Sequence, residues 1–324
     1  MRPSINNMGD SLHSRQSHLD TVCGVLIVYM IFMHCEQWAD ATDTIVAKIT
    51  GRLFFFFMPW FFFKAGMFFN QDADLAKVVK SSIKRLLVPF ILYSMVGHCF
   101  FCVMRYFENE EYSIVPLKSL LYYGACSGNA PLWFLLTLFS VRILVKFVSK
   151  HADIRLVLLI GGGGALMLNM TCYEGPFWVA NVLSGMFFYV VGYLFRNLQY
   201  RDFFVVLSGG GYLIALFFPS MVDMNRNILY SGCYFFWMVT SIAGCIIVNN
   251  FSYRFLNGLK MVQIIGKNSM FYYCTHWIVL IIATMVLKLM GANWADEKIL
   301  FVYCVSIAFF YFFPTFWYMR KGKN

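Results

Sequence analysis

Charge is what this sequence has least of. Only 13% of its 324 residues are Asp, Glu, Lys or Arg, about half the share of an ordinary soluble domain, where roughly a quarter are charged. Hydrophobic residues make up 60%, so the chain reads as a polytopic membrane protein. Long polar stretches are scarce too. No loop is long enough for a soluble domain, and any chemistry belongs to the membrane part itself. Cys and His clusters at metal-ligand spacing, a Gly-x-Ser-x-Gly elbow and paired carboxylates inside apolar runs are all missing, which argues against metal hydrolysis and an acidic proton relay. The ten cysteines do not form a disulfide framework. Cys23, Cys99, Cys102, Cys245, Cys274 and Cys304 lie within apolar runs as small hydrophobes. No pairing follows for Cys35, Cys126, Cys172 and Cys233, which fall near the expected outer face.

What is present is a series of apolar segments, at 21–38, 53–70, 86–106, 132–149, 155–171, 177–195, 203–219, 228–249, 269–290 and 299–318. Each is near the roughly 20 residues that a transmembrane helix requires, the fifth being the weakest. The formal charge of +10 does not indicate nucleic acid, whose binders gather basic residues on one solvated face. Here they sit in short loops between apolar runs. With the N-terminus inside, nineteen Lys and Arg fall on the inner side and seven on the outer, as the positive-inside rule demands. The outer side collects most of the acids, including Glu108, Glu110, Glu111, Asp296 and Glu297. An all-α membrane protein with about ten transmembrane helices and both termini cytoplasmic is expected. Residues 1–18 form a cytoplasmic segment, 19–319 the membrane domain and 320–324 a basic cytoplasmic tail. Arg15 before the first run and Ala39-Asp40-Ala41 after it mimic a signal peptide, but Glu36 and Gln37 intrude and many spans follow.

The first segment organises the chain. Asp20 opens it, thirteen uncharged residues follow, and His34 closes it. A full span must include one or both polar groups, which places His34 in the outer half of the bilayer or at its edge. Ionisable side chains are costly there and are functional candidates by default; the bland alternative is interhelical packing glue. Asp20 is fourteen residues from His34, about 21 Å along a helix, and cannot pair with it. The second segment carries Pro59 in mid-span, where it frees a carbonyl that neighbours or a wet cavity must satisfy. Lys64 can snorkel to the inner interface. Beyond it, Lys77, Lys80 and Lys84 share a helical face, with Arg85 beside them. They are either topological anchors or a phosphate-binding edge.

The piece at 116–131 breaks at Gly124, Gly128 and Pro131 and is too short to span, so it reads as re-entrant or interfacial. The glycine runs at 161–164 and 209–211 are not followed by Lys-Ser or Lys-Thr and are not phosphate loops; close helix packing explains them. Gly266, Lys267, Asn268 and Ser269 make a cytoplasmic turn and helix cap for the ninth segment. That segment buries His276, which taken alone reads as structural.

Together, several stretches resemble the integral-membrane acyltransferase 3 family, which O-acetylates cell-envelope and exported glycans. They are Leu19-Asp20 through Gly24 to His34, Met58-Pro59 to Ala65-Gly66, Lys84-Arg85-Leu86-Leu87-Val88-Pro89, Leu132-Trp133-Phe134-Leu135, and Gly266-Lys267-Asn268-Ser269 to His276. Order and span count agree, and the likeness covers nearly the whole chain. Two positions depart from it. Cys23 stands where the family commonly has Arg or Lys, and Lys64 where a serine commonly precedes Ala65-Gly66; the two changes in charge offset each other.

The resemblance implies a membrane O-acyltransferase that moves an acyl group from cytoplasmic acetyl-CoA to a hydroxyl of an envelope or exported polysaccharide, or its lipid-linked precursor. It implies a catalytic His34, which as a histidine suits a general base near neutral pH. Lys64, Lys77, Lys80, Lys84 and Arg85 would hold the donor phosphates. Asp20, Trp133, Asn268, Ser269 and His276 are substrate or structural candidates, and no metal is expected. The location implied is the inner (plasma) membrane, with the lipid bilayer and a glycan as partners. The alternative within the family is a glycan export or translocation protein. A small-molecule transporter is weaker, for no broken-helix repeat stands out.

Overall fold

A computed structural model describes residues 16–107, 116–126, 128–256, 259–290, 296–313 and 317. Helices α1 (Ser17–Trp38), α2 (Ile45–Leu53), α3 (Phe57–Met67), α4 (Leu75–Ser82) and α5 (Val88–Phe107) open the chain. Then come α6 (Pro116–Tyr123), α7 (Trp133–Val148), α8 (Ile154–Met170), α9 (Phe177–Phe195) and α10 (Asp202–Phe217). A hairpin of β1 (Met221–Asp223) and β2 (Ile228–Ser231) leads to α11 (Tyr234–Phe255), α12 (Lys260–Lys267), α13 (Ser269–Leu289) and α14 (Asp296–Ile307). Each of the ten apolar segments contains helix among the described residues. Among the described residues seven stretches are long and apolar enough to cross a membrane, α2 with α3 and α4 with α5 each counting as one; α8 and α10 are shorter apolar helices. The fold is all-α and membrane-spanning in character. Glu108, Glu110, Glu111 and the 320–324 tail lie outside the described residues.

Three boundaries differ from the sequence reading. The second segment starts earlier, at Ile45, and breaks at residues 54–56. Pro59 therefore falls in the first turn of α3 rather than in mid-span, where helix N–H groups lack intrahelical partners anyway and its missing donor costs nothing. Residues 228–231 are strand, not helix, and α11 begins at Tyr234; Asp223, Asn225 and Asn227 supply the turn chemistry, with Asn227 at φ 54°. The third segment is preceded by α4, and a π turn over Ile83–Leu87 joins them. Pro89 explains that turn, since its ring would clash with the carbonyl four residues back, at Arg85.

The first helix is central. In its most apolar stretch 72% of residues are buried, against 22% for the α2–α3 and α4–α5 stretches. Lipid tails are as apolar as leucine, so close packing and interhelical hydrogen bonds must hold such a bundle. Both occur here. α12 runs antiparallel along α1 at backbone contact, with Gly24 against Val262 and Gly266 against the Asp20 carbonyl. Asn249 of α11 links α3 to the 198–200 turn: Trp60 Nε1 donates to Asn249 Oδ1 at 2.8 Å, and Asn249 Nδ2 donates to Gln199 Oε1 at 2.9 Å. Gly161, Gly162 and Gly164 pack on α9, which bears out the packing reading of that run, whereas Gly163 and Gly210 face open space. All ten cysteines are free thiols.

The 116–131 stretch behaves as a short helix and a return. α6 ends at Tyr123, Gly124 turns the chain at φ 74°, and a 3-10 turn at Ala130–Leu132 leads into α7. Asn268 does not cap α13. Its side chain donates instead to Ile264 O, at 3.0 Å, and so closes α12.

Gly266→Val places a branched side chain against the Asp20 carbonyl and should destabilise the protein by about 1–3 kcal/mol. Gly163→Val, on an open face, should be near neutral. Thermal unfolding of both variants in detergent checks the pair.

Candidate active site

His34 lies four residues before the end of α1, and α13 brings His276 against it. The two imidazoles stack with centroids 5.1 Å apart and planes 21° from parallel. Trp277 meets His34 edge-on at 5.2 Å and also meets Trp38 at 5.3 Å. His276 is fully buried, and His34 is half-buried at the wall of a cavity of about 770 Å³.

Hydrogen bonds fix the rings. His276 Nδ1 lies 2.7 Å from the Tyr273 carbonyl, which can only accept, so Nδ1 carries the hydrogen and Nε2 the lone pair. That Nε2 is buried without a partner. His34 Nδ1 lies 2.8 Å from Gln37 Oε1. With the amide oxygen accepting, His34 is the same tautomer, and its Nε2 carries the lone pair. Helical spacing of three residues brings Gln37 to His34.

Four stretches singled out in the sequence converge on this cavity: His34 from α1, Met58 and Pro59 from α3, Ala130, Pro131 and Trp133 from the 3-10 turn and α7, and Tyr273 and Trp277 from α13. Their mutual position is tied down. The Tyr273 hydroxyl donates to the Pro131 carbonyl, and Asn129 Nδ2 donates to Cys274 O at 3.0 Å. The return after α6 thus forms part of the site wall.

The remaining candidates lie elsewhere. Asp20 is buried near the other end of α1, its carbonyl against Gly266. Lys64 is half-buried, with Nζ 5.2 Å from the Trp60 ring centre, and with Asp20 it lies within electrostatic reach of His18. Lys77, Lys80, Lys84 and Arg85 are all exposed on α4 and the π turn. Lys80 borders an open concavity shared with Asp74 and Val79. Asn268 is exposed and Ser269 half-buried, both at the start of α13. No group of three or more His, Cys, Asp or Glu suited to a metal ion occurs among the described residues.

Sequence reasoning missed the hairpin, Glu36, Trp237 and Trp277. Asp223, Asn225, Arg226 and Tyr230 of the hairpin line the cavity together with Glu36, Trp237 and Trp277. Asparagines pin the hairpin to the bundle: Asn181 Nδ2 donates to Asn225 O at 2.8 Å, Asn169 Nδ2 to Asn227 O at 2.9 Å, and Asn227 Nδ2 to Ala165 O at 3.3 Å. The polar cluster at 223–227 was the available signal, hidden because the adjoining residues 228–231 are apolar enough to join the following span.

Gln37→Leu removes the bond that fixes the His34 tautomer. It should leave His34 in a mixture of its two neutral tautomers and keep the unfolding midpoint in place, because Gln37 is exposed. Imidazole nitrogen shifts and thermal unfolding of the purified variant measure this.

Comparison with curated proteins and with solved structures finds no match. A family model described as an acyltransferase domain matches residues 17–319, a range that takes in the histidine pair, the return, the hairpin and the basic π turn. The chain belongs to the acyltransferase 3 family and is a membrane acyltransferase at that level.

Proposed function

We propose that this protein is an O-acetyltransferase of the inner (plasma) membrane. It takes an acetyl group from cytoplasmic acetyl-CoA and passes it to a hydroxyl of a cell-envelope or exported polysaccharide, or of its lipid-linked precursor. The observation that carries the reading is the stacked His34–His276 pair, with His34 at a large cavity. The positive-inside pattern assigns α4 and the π turn to the cytoplasm and the hairpin end of the cavity to the outer face. Lys77, Lys80, Lys84 and Arg85 then meet the donor phosphates, and Lys64 stands further along the path. The acyl group has to advance about 21 Å along α1 from the level of Asp20 to that of His34, so the extended pantetheine arm, not the nucleotide, enters the bundle.

His34 is the general base. Its Nε2 takes the proton as the acceptor oxygen attacks the thioester carbonyl, a new C–O bond forms, and collapse breaks the C–S bond. The imidazolium returns its proton to the departing thiolate. Gln37 keeps Nδ1 protonated throughout, and the stacked His276 holds the ring plane. A thioester is already activated, so a histidine base suffices without a covalent acetyl-imidazole.

His34→Ala should lower transfer by at least a hundredfold, with protein level and coenzyme A binding kept. Full acetylation by that variant would refute a catalytic role. An acetyl group trapped on His34 without acceptor would replace the general base with a two-step route, and failure of the wild-type protein to turn over acetyl-CoA would favour glycan export. Lys80→Glu and Lys84→Glu should each weaken acetyl-CoA binding by about one to two decades relative to acetyl-pantetheine, from roughly 1.5–3 kcal/mol per charged contact. Titration of both donors reads that ratio, and an unchanged ratio marks these lysines as membrane anchors.

A further inference from the structure

The cavity beside His34 contains more unsatisfied polar chemistry than the transfer step uses. Glu36 is 3% exposed and Trp237 1% exposed, and Glu36 Oε1, Trp237 Nε1 and Asn225 Oδ1 are all buried without a hydrogen-bond partner. All three residues line this one cavity, from three different elements: α1, α11 and the hairpin. Buried polar atoms are almost always paired, and a buried carboxylate oxygen is among the costliest to leave alone. Two orphan acceptors and one orphan donor around a shared space describe the complement of a molecule that offers several O–H groups and oxygen lone pairs at once.

The rest of the lining narrows the class. Trp133, Trp237, Trp277 and Tyr273 give the cavity flat apolar faces with polar edges, suited to the C–H faces of a sugar ring. Its charged side chains are Glu36, Asp223 and Arg226. Asp223 is already engaged, accepting from Asn225 N at 2.9 Å and from the Tyr230 hydroxyl at 3.3 Å, and Arg226 is exposed. Among the charged-type side chains of this lining, Glu36 is thus the buried one with an unpartnered oxygen, and burial beside a second acid penalises an incoming carboxylate.

We propose that Glu36 is a specificity-determining residue of the acceptor site, accepting hydrogen bonds from hydroxyls of an uncharged sugar ring, with Trp237 Nε1 and Asn225 Oδ1 completing the contact, and that the site rejects uronic acids and other anionic sugars. The inference rests on the acyl-transfer reading above and adds to it which sugar chemistry enters and which side chain selects it. Glu36 and His34 line the same cavity, so a ring bound at Glu36 occupies the space onto which the base opens.

The test uses the full-length protein in lipid nanodiscs, with acetyl-CoA and aryl glycosides of neutral hexoses and of the matching uronic acids as acceptors. Acetyl-CoA hydrolysis without acceptor is followed in parallel. The neutral glycosides should be acetylated at least tenfold more efficiently than the uronates. Glu36→Gln, which keeps the shape, should raise KM for the neutral acceptors about tenfold, from weakened hydrogen bonds to the sugar hydroxyls, with kcat and hydrolysis held. It should also narrow the gap to the uronates. Trp237→Phe, which keeps the ring and removes only the donor, should raise KM in the same way. Equal use of uronates by the wild type, or an unchanged KM in Glu36→Gln, overturns the proposal. A parallel fall in hydrolysis and transfer for Glu36→Gln also overturns it, since Glu36 would then act on His34 or the fold. Absence of both hydrolysis and transfer in the wild type is a different result, and removes the acyl-transfer reading itself.

Discussion

The backbone contact between Gly266 and the Asp20 carbonyl sets the geometry of the whole site. α12 lies against α1 at backbone contact at Gly24 and Gly266, so the connection into α13 leaves at a height that α1 itself determines. His276 follows two turns later and reaches His34 at stacking distance. A residue with a Cβ at either glycine would push α12 outward and draw His276 off the ring it supports. In a bilayer, where apolar contact alone does not hold helices together, that close approach positions the helices without a hydrophobic core in the aqueous sense.

Polar groups inside the bundle show two patterns. Asn249, Asn250, Gln199 and Trp60 satisfy one another across helices, which is how a membrane fold usually manages such atoms. Glu36, Asn225 and Trp237 do not, and they share the lining of one cavity. The asparagine anchors of the hairpin mean this cavity exists before any ligand arrives, so recognition there costs little ordering of the chain.

Much of this architecture was legible from composition alone. Every apolar segment contains helix, though the second is broken and the eighth opens as strand, and the family motifs at His34, Met58-Pro59, Trp133 and His276 met in space. The order of motifs along the chain could not show that they face one cavity. Local chemistry misled at particular residues. Pro59 looked like a mid-span kink because the break at residues 54–56 is hidden in a run of phenylalanines, whose hydropathy is the same in helix and turn. Asn268 looked like a cap, yet its amide turns back to Ile264. Glu36 and Gln37 stood out only as polar intrusions. Their separation from His34 by two and three residues sends Gln37 to the ring and leaves Glu36 free to line the cavity, and that division of labour depends on neighbouring helices the sequence does not place.

The bonds at the two Nδ1 atoms carry a further consequence for a protein with membrane-spanning helices. An imidazole conducts protons by accepting at one nitrogen and releasing from the other. Here His276 gives its Nδ1 hydrogen to the Tyr273 carbonyl and His34 gives its own to Gln37. Each ring can gain a proton only at Nε2 and must return it through the same atom. The stacked pair can borrow and restore a proton at Nε2 without handing it on through Nδ1, so two adjacent histidines in the membrane domain do not make a proton wire.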